Sequence, residues 1–290
     1  MASTQRKSSG KSLEAQFPND TANMTETIAK TVLTALDDHN QVPLFSEAPA
    51  GLSVSDAYQV TAQLRAAFEA RGETITGRKI GFTNRGMWDA HGVRAPIWGY
   101  CTDTSTFELE DNLVQNVSKF VEPRIEPEII FGIRETPHPL MNKEELLDCI
   151  EWVSLGYEIV QSIFAGWKFS ASDTIAANAL HGALLIGNRH EVVSRKAAWE
   201  RELASFRAEL FCDGVLSQTG GGAFVLGSPL VALQHLVKLL DKDPYNPPLG
   251  AGEVVSTGTL TLAMPVGVGQ NWSTKVRGIP LEEIKLRFEN

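Results

Sequence analysis

The stretch Arg124–Ile133, RIEPEIIFGI, decides how this chain is read. Its β-branched residues mark a strand, and side chains in a strand alternate between the faces of a sheet. Glu126 and Glu128 therefore point together, and Pro127 points away. The apolar run Ile129, Ile130 and Phe131 turns that segment toward a core, where two like charges are costly to bury unless a cation balances them. A divalent metal is the simplest such cation. A second reading fits the same spacing: Pro127 lacks the N–H that a central strand needs, so the segment is an edge strand with both glutamates in water.

Working outward, GYEIVQSIF (156–164) has the same texture, and Glu158 is a lone charge inside an apolar run. Three carboxylates and water suit Mg²⁺ or Mn²⁺, and the chain offers no matched set of cysteines and histidines for zinc. Upstream, Thr76–Phe82 (TGRKIGF) is a third strand carrying Lys79. Near a metal such a lysine orients a substrate carboxylate or moves a proton; away from one it is a strand-end lysine reaching for water. His181, before Gly182, fits either a proton shuttle or a satisfied core histidine. Arg124 is a candidate partner for a carboxylate of the site or of a substrate. Trp88, Trp98, Trp152, Trp167 and Phe82 read as core on residue type alone.

The remaining pattern is mixed. Met24, Ile28, Val32 and Leu36, then Ala57, Val60, Leu64 and Phe68, recur at helical spacing, which predicts a helical segment over 21–75. A helix is predicted over Asn142–Val153 behind an Asn cap, a short one over Asp173–His181 capped by Ser172 or Asp173, and one over Ser228–Leu240 with Pro229 at its first position. Strands are predicted over 183–187 and 254–266 and near the C-terminus, and a bent strand or hairpin over Phe206–Gln218 turning at Asp213-Gly214. Helices fall irregularly among the strands, so the expected class is α+β, a mixed α/β domain over 76–290 on a curved sheet. With the helical segment it forms one compact unit over 21–290, and residues 1–20 are a Ser- and Lys-rich disordered tail.

Composition excludes several classes. The 290 residues are 43% hydrophobic, and 26 basic against 35 acidic side chains give a net charge of −9 with no long basic block, so nucleic acid is not an expected partner. The longest apolar stretch, Gly220–Leu233, is interrupted by glycines, Ser228 and Pro229, and no membrane partner is expected. Cys101, Cys149 and Cys212 show no CxxC spacing, which suits a reducing, cytoplasmic setting and buried positions. The glycines of GGGAFVLGSP (220–229) match neither a dinucleotide nor a P-loop motif, and no GxSxG occurs.

Taken in order, GRKIGFTN, the Pro96–Gly99 turn, RIEPEIIF, GYEIVQSIF, DTIAANALHGALLIG, VLGSPLVAL and AGEVVSTGTLT resemble the 2-keto-4-pentenoate hydratase and 4-oxalocrotonate decarboxylase branch of the fumarylacetoacetate hydrolase superfamily, from about residue 50 to the C-terminus. The resemblance implies a rolled mixed sheet of that superfamily's type, usually in a homo-oligomer. It also implies an Mg²⁺ or Mn²⁺ site held by Glu126, Glu128 and Glu158, with Lys79 as the active-site lysine. Phe82, Trp98, Arg124 and Thr257, in or beside the motifs, are the expected substrate-binding residues. The sequence departs from the branch at the far end of the pocket. Many members carry an Asp between the Pro and Gly of the turn that here reads Pro96-Ile97-Trp98-Gly99, and a DNASS-like segment where this chain has Ala177–His181. His181 or Asp173 then becomes the candidate acid/base at the distal carbon.

The expected function is a metal-dependent lyase acting on a small 2-oxo acid, most simply a hydratase of a 2-hydroxypenta-2,4-dienoate. Three alternatives stand beside it: a decarboxylase of 4-oxalocrotonate, a C–C hydrolase of acylpyruvates, and a non-catalytic partner of a related pathway enzyme. Retention of all three carboxylates and Lys79 argues against the last, because a scaffold needs no buried anionic triad.

Overall fold

The apolar periodicities of the N-terminal segment fold as two helices, α1 (Thr21–Asp37) and α2 (Val54–Ala70), the second capped by Ser53 through Asp56 N. Ile28, Val32, Val60 and Leu64 lie in the same apolar cluster as the sheet residues Ile80, Ile125 and Ile159. The structure, a computed structural model, describes residues 21–88, 93–110 and 113–290; the expected tail over 1–20 lies outside them.

Among the described residues, one sheet has nine strands. Its path runs β2 (Ile97–Thr102), β1 (Ile75–Gly81), β11 (Val254–Thr259), β5 (Arg124–Ile133), β6 (Ile150–Val160), β7 (His181–Ile186) and β3 (Thr106–Glu108). To these are added β12 (Met264–Pro265) on β5 and β8 (His190–Glu191) on β6. A second sheet runs β10 (Val215–Gly221), β9 (Arg207–Cys212), β13 (Asn271–Arg277), β14 (Ile284–Glu289) and β4 (Val114–Asn116). The pairs β1–β11, β3–β7 and β4–β14 are parallel and the others antiparallel, which is the mixed architecture the sequence predicts.

Pro127 does not mark an edge, because β5 is central. The Pro127 carbonyl accepts from Leu260 N (2.8 Å), and a residue's N and C=O leave a strand on the same side. Its missing N–H thus faces Leu260, one residue past the end of β11, where the ladder has ended and the Leu260 carbonyl accepts from Gly221 N instead (2.9 Å).

Several expectations are corrected. The helix expected over Asn142–Val153 is only α3 (Lys143–Asp148): the Asn142–Glu145 capping box starts it, but Ile150, Val153 and Leu155 are drawn into β6. The short helix is α4 (Ala171–Ala176), capped by Ser170 rather than Ser172 or Asp173. Cys212 is half-buried, whereas Cys101 and Cys149 are buried. The helix α5 (Lys196–Ser205) and the strand β13 have no counterpart in the expected pattern. The last helix, α6 (Pro229–Leu240), begins at Ser228 with Pro229 in its first turn and buries Leu230, Leu233, Leu236 and Leu240. Gly222–Leu240 has the length and apolarity to cross a membrane, contrary to the expectation from its interruptions, but half of that window is buried within the fold.

Candidate active site

Strand register assembles the site. Glu126 stands opposite Glu158 across β5 and β6, Ser256 opposite Ile130 across β11 and β5, and Lys79 opposite Ser256 across β1 and β11. Partners in register share a face, and Glu126, Glu128 and Ile130 share one by alternation. Lys79, Ser256 and all three glutamates therefore converge on one side of the large sheet.

One carboxylate oxygen from each of Glu126, Glu128 and Glu158 lies within 4.8 Å of the other two. Glu128 Oε2 accepts from Ser256 Oγ (2.5 Å) and Gly258 N (2.8 Å), which leaves Oε1 buried without a hydrogen bond. Glu158 Oε1 meets His181 Nδ1 at 2.8 Å, while Oε2 lies 3.2 Å from Lys79 Nζ without an aligned hydrogen bond. Lys79, 3% exposed, donates instead to the Ala179 carbonyl at 2.9 Å. Burial alone would depress the lysine's pKa, but Glu158, Glu126 and Glu128 together outweigh it and hold the ammonium above its ordinary value. Burial pushes Glu126 up to about 7 against the pull of Lys79. Burial, then repulsion by Glu158 and Glu126, holds Glu128 well above the carboxylate range. One lysine among three glutamates leaves an excess of negative charge in a water-poor place, with two buried oxygens lacking a donor. Hard oxygen donors so arranged fit a divalent cation.

A pocket of about 230 Å³ opens over the cluster. Lys79, Glu126, Arg124, Thr83, Thr259 and Thr261 supply most of its polar lining, and Phe82, Trp167, Phe169, Leu180, Leu262 and Met264 much of its apolar wall. Thr83 Oγ1 is buried there with no hydrogen-bond partner. Gly258 has φ of 104°, and a Cβ on it would lie 2.0 Å from Thr83 Oγ1, so only glycine fits. The Arg124 guanidinium stacks 4.0 Å from the centre of the Trp167 ring. A larger hollow of about 810 Å³ borders β13 and β14 and contains none of these side chains.

The expected site residues divide. Lys79, Glu126, Glu128 and Glu158 come together, and Phe82 and Arg124 line the pocket. Trp98 does not line it: it pairs with Ile80, one residue out of phase with Lys79, and stacks on Tyr58 on the other face. Thr257 is turned away and donates to the Ile129 carbonyl (2.8 Å), because Ser256 takes the site face and alternation sends its neighbour to the other; the irregularity that follows brings Thr259 opposite Glu128. His181 stands behind Glu158 rather than at the distal end of the pocket. Asp173 is fully buried as the third helical residue of the α4 capping box, and its carboxylate accepts from Ser46 N, Ser46 Oγ, Ser170 N and Ser170 Oγ. Sequence reasoning missed Ser256, which alternation from Glu128 would have found only with the strand pairing in hand. It also missed Thr83, Thr259, Thr261, Trp167 and Phe169, which lie on connecting segments or beyond the irregularity.

No protein-family model matches the chain. It is 29% identical over 252 residues to a 2-hydroxyhexa-2,4-dienoate hydratase of Comamonas testosteroni, covering 87% of this chain and 89% of that one. It is 30% identical over 190 residues to a 2-hydroxypent-2,4-dienoate hydratase of Pseudomonas putida, covering 65% of this chain and 83% of the relative. Among solved structures, the 4-oxalocrotonate decarboxylase of Pseudomonas putida G7, complexed with magnesium and adipate, superposes with a TM-score of 0.83 at 26% identity over 91% of this chain and 97% of that one. A fumarylpyruvate hydrolase from Pseudomonas aeruginosa shares the fold at a TM-score of 0.53 and 15% identity, over 73% of this chain and 88% of that one. The chain belongs to the 2-keto-4-pentenoate hydratase and 4-oxalocrotonate decarboxylase branch of the fumarylacetoacetate hydrolase superfamily.

Proposed function

We propose that this protein is a divalent-metal-dependent lyase that hydrates a small 2-oxo acid of the 2-hydroxypenta-2,4-dienoate type. The observation that carries this reading is the convergence of Glu126, Glu128 and Glu158 on one sheet face, with two buried oxygens lacking a donor and Lys79 beside them. Those three glutamates would hold the cation, Mg²⁺ or Mn²⁺. A cation held there would supply Lewis-acid stabilisation of the negative charge that develops on the head-group oxygens of a 2-oxo acid.

The chain's own residues do the rest. Lys79, kept charged by the glutamates, places a positive charge where the substrate's head-group oxygens develop negative charge, and its ammonium is the pocket's proton donor. Thr83 Oγ1 offers an unused hydroxyl in the same pocket. The wall of Phe82, Trp167, Phe169 and Leu180 orients an unsaturated tail and limits water to what the reaction needs. Among the described residues no aspartate or histidine lines the pocket, so distal proton transfer falls to Lys79 or to ordered water. The reading includes a homo-oligomer in the cytoplasm, which light scattering and cell fractionation would test.

Arg124 favours a second reading, decarboxylation of 4-oxalocrotonate, since it is the other cation lining the pocket among the described residues and could meet a second carboxylate. The ultraviolet absorbance of 2-hydroxypenta-2,4-dienoate and of 4-oxalocrotonate, followed with EDTA-treated protein before and after Mg²⁺ is restored, separates the two. Metal-dependent loss of the dienoate supports the hydratase. Release of CO₂ from 4-oxalocrotonate alone replaces it with the decarboxylase.

A further inference from the structure

His181 sits in a buried series of contacts outside the pocket. Its Nδ1 lies 2.8 Å from Glu158 Oε1, and its Nε2 lies 2.9 Å from Ser105 Oγ. Ser105 is itself fixed: Leu184 N of β7 donates to its carbonyl (2.7 Å), its N donates to the Thr102 carbonyl (3.1 Å), and Thr102 N donates to its Oγ (3.1 Å). With Thr102 N–H already directed into Oγ, the serine hydroxyl donates best to His181 Nε2, since the alternative acceptors, the Thr102 carbonyl at 3.3 Å and Thr102 Oγ1 at 3.4 Å, are farther. An imidazole that accepts at Nε2 carries its proton on Nδ1, and that proton points at Glu158 Oε1.

We propose that His181 is a positioning residue for the metal site: fixed in one tautomer by Ser105, it holds Glu158 Oε1 and so presents Oε2 to the divalent cation. This rests on the metal reading of the three glutamates. Serine, histidine and glutamate in series have the order of a hydrolase triad, but neither Ser105 nor His181 lines the pocket, so the series has no access to substrate. Its free end is Glu158 Oε2, beside Lys79 and within the glutamate cluster.

The test titrates Mg²⁺ and Mn²⁺ calorimetrically into the metal-free full chain and records the electron paramagnetic resonance spectrum of bound Mn²⁺. The variants are His181→Leu, His181→Asn, His181→Gln and Ser105→Ala. An asparagine amide reaches the place of Nδ1, and a glutamine amide that of Nε2. His181→Leu and His181→Gln should weaken metal binding about 10–100-fold, the usual effect of removing a partner behind a ligand. His181→Asn should restore most of that affinity and the native Mn²⁺ spectrum, and Ser105→Ala should give a smaller loss. Equal losses in the Asn and Gln variants, or wild-type affinity in all four, would overturn the proposal; that comparison holds even if the leucine variant fails to fold. A wild-type protein that takes up neither cation overturns the metal reading and this proposal with it.

Discussion

Glu126 and Glu158 face each other directly across the antiparallel pair of β5 and β6. Sheets are ordinarily stabilised at such positions by complementary side chains, and like charges there are destabilising. Lys79 offsets part of the repulsion, and Glu128 adds to it from two residues along the same face. Such a sheet is least stable when the cluster is fully ionised and empty, and gains most when a cation enters.

Metal should therefore raise the melting temperature. A ligand at about 100 times its dissociation constant stabilises the folded state by about 2.7 kcal/mol. Glu128→Gln keeps an oxygen to accept from Ser256 and Gly258 but removes the carboxyl that must ionise to bind a cation. The variant should melt at or above the metal-free wild type and lose the increase that Mg²⁺ gives. Scanning calorimetry with EDTA and with excess Mg²⁺ checks both; an undiminished metal response in the variant would remove Glu128 from the ligand set.

Stability and metal affinity should run oppositely with pH. Glu126 titrates at about 7 in the folded protein, above its ordinary 4.5. A carboxyl whose folded pKa is raised contributes stability that is present below its unfolded pKa and lost as pH rises through the folded one. The metal-free protein should accordingly melt lower at pH 8 than at pH 6. Metal competes with the same proton, so Mg²⁺ affinity should fall as pH drops through 7 and binding at pH 6.5 should release protons. Calorimetry in buffers of different ionisation enthalpy counts them, and a pH-independent affinity between 6 and 8 would contradict the assignment.

Lys79 should matter to turnover more than to metal uptake. Lys79→Met removes the pocket's proton carrier and should lower kcat by about 10²–10⁴-fold, the range typical of acid–base groups. Lys79→Arg should not restore it, because the fully buried site fits a compact ammonium that donates to Ala179, not a planar fork. Steady-state kinetics on the dienoate, with Mg²⁺ binding measured alongside, tests this; a kcat within tenfold of wild type in the methionine variant would end the proton-transfer role.

Glu126 and Glu128 were legible because alternation along one strand is local information: they share a face whatever else folds around them. Glu158 and Lys79 stood out as charges inside other strands, and only the family resemblance put them beside that pair. Trp98 and Thr257 were misplaced for the complementary reason. Whether Trp98 faces the site depends on pairing Ile80 with Trp98 rather than Lys79 with Trp98, and Thr257 faces away because Ser256, paired with Lys79, takes the site face of β11. Asp173 and His181 share one difficulty: a polar residue in an apolar segment marks a buried network, but the partners that tell a structural network from a catalytic one, Ser46 and Ser105, lie far off in sequence.

Asp173 should behave as a fold residue. Its carboxylate ties the start of α4 to Ser46, accepting two hydrogen bonds from Ser46 and two from Ser170. Asp173→Ala leaves those donors without an acceptor and should cost about 2–4 kcal/mol, judged from the loss of a cap together with buried polar contacts. Urea unfolding measures the loss. The kcat of the protein that remains folded should match wild type, and a selective fall in kcat at unchanged stability would return Asp173 to the chemistry.

The last prediction concerns Asn178, which holds a strained turn against Lys79. Asn178, Ala179 and Leu180 have φ of 52°, 52° and 63°, a left-handed run that costs non-glycine residues about 1–2 kcal/mol each. Asn178 pins the run by accepting from Tyr100 N (2.7 Å) and donating to the Tyr100 carbonyl (2.9 Å). The held turn aims the Ala179 carbonyl at Lys79 Nζ and sets Leu180 in the pocket wall. Asn178→Ala should release it, lowering stability by about 2 kcal/mol through two lost buried hydrogen bonds and lowering kcat as Lys79 loses its anchor. Gly99→Ala attacks the same turn from the other side, since a Cβ there would lie 2.4 Å from the Asn178 carbonyl oxygen. Ala179→Gly, in contrast, relieves the left-handed strain and keeps the carbonyl, so it should leave kcat near wild type. If the first two variants lose stability but keep kcat, the turn supports the fold without placing the lysine.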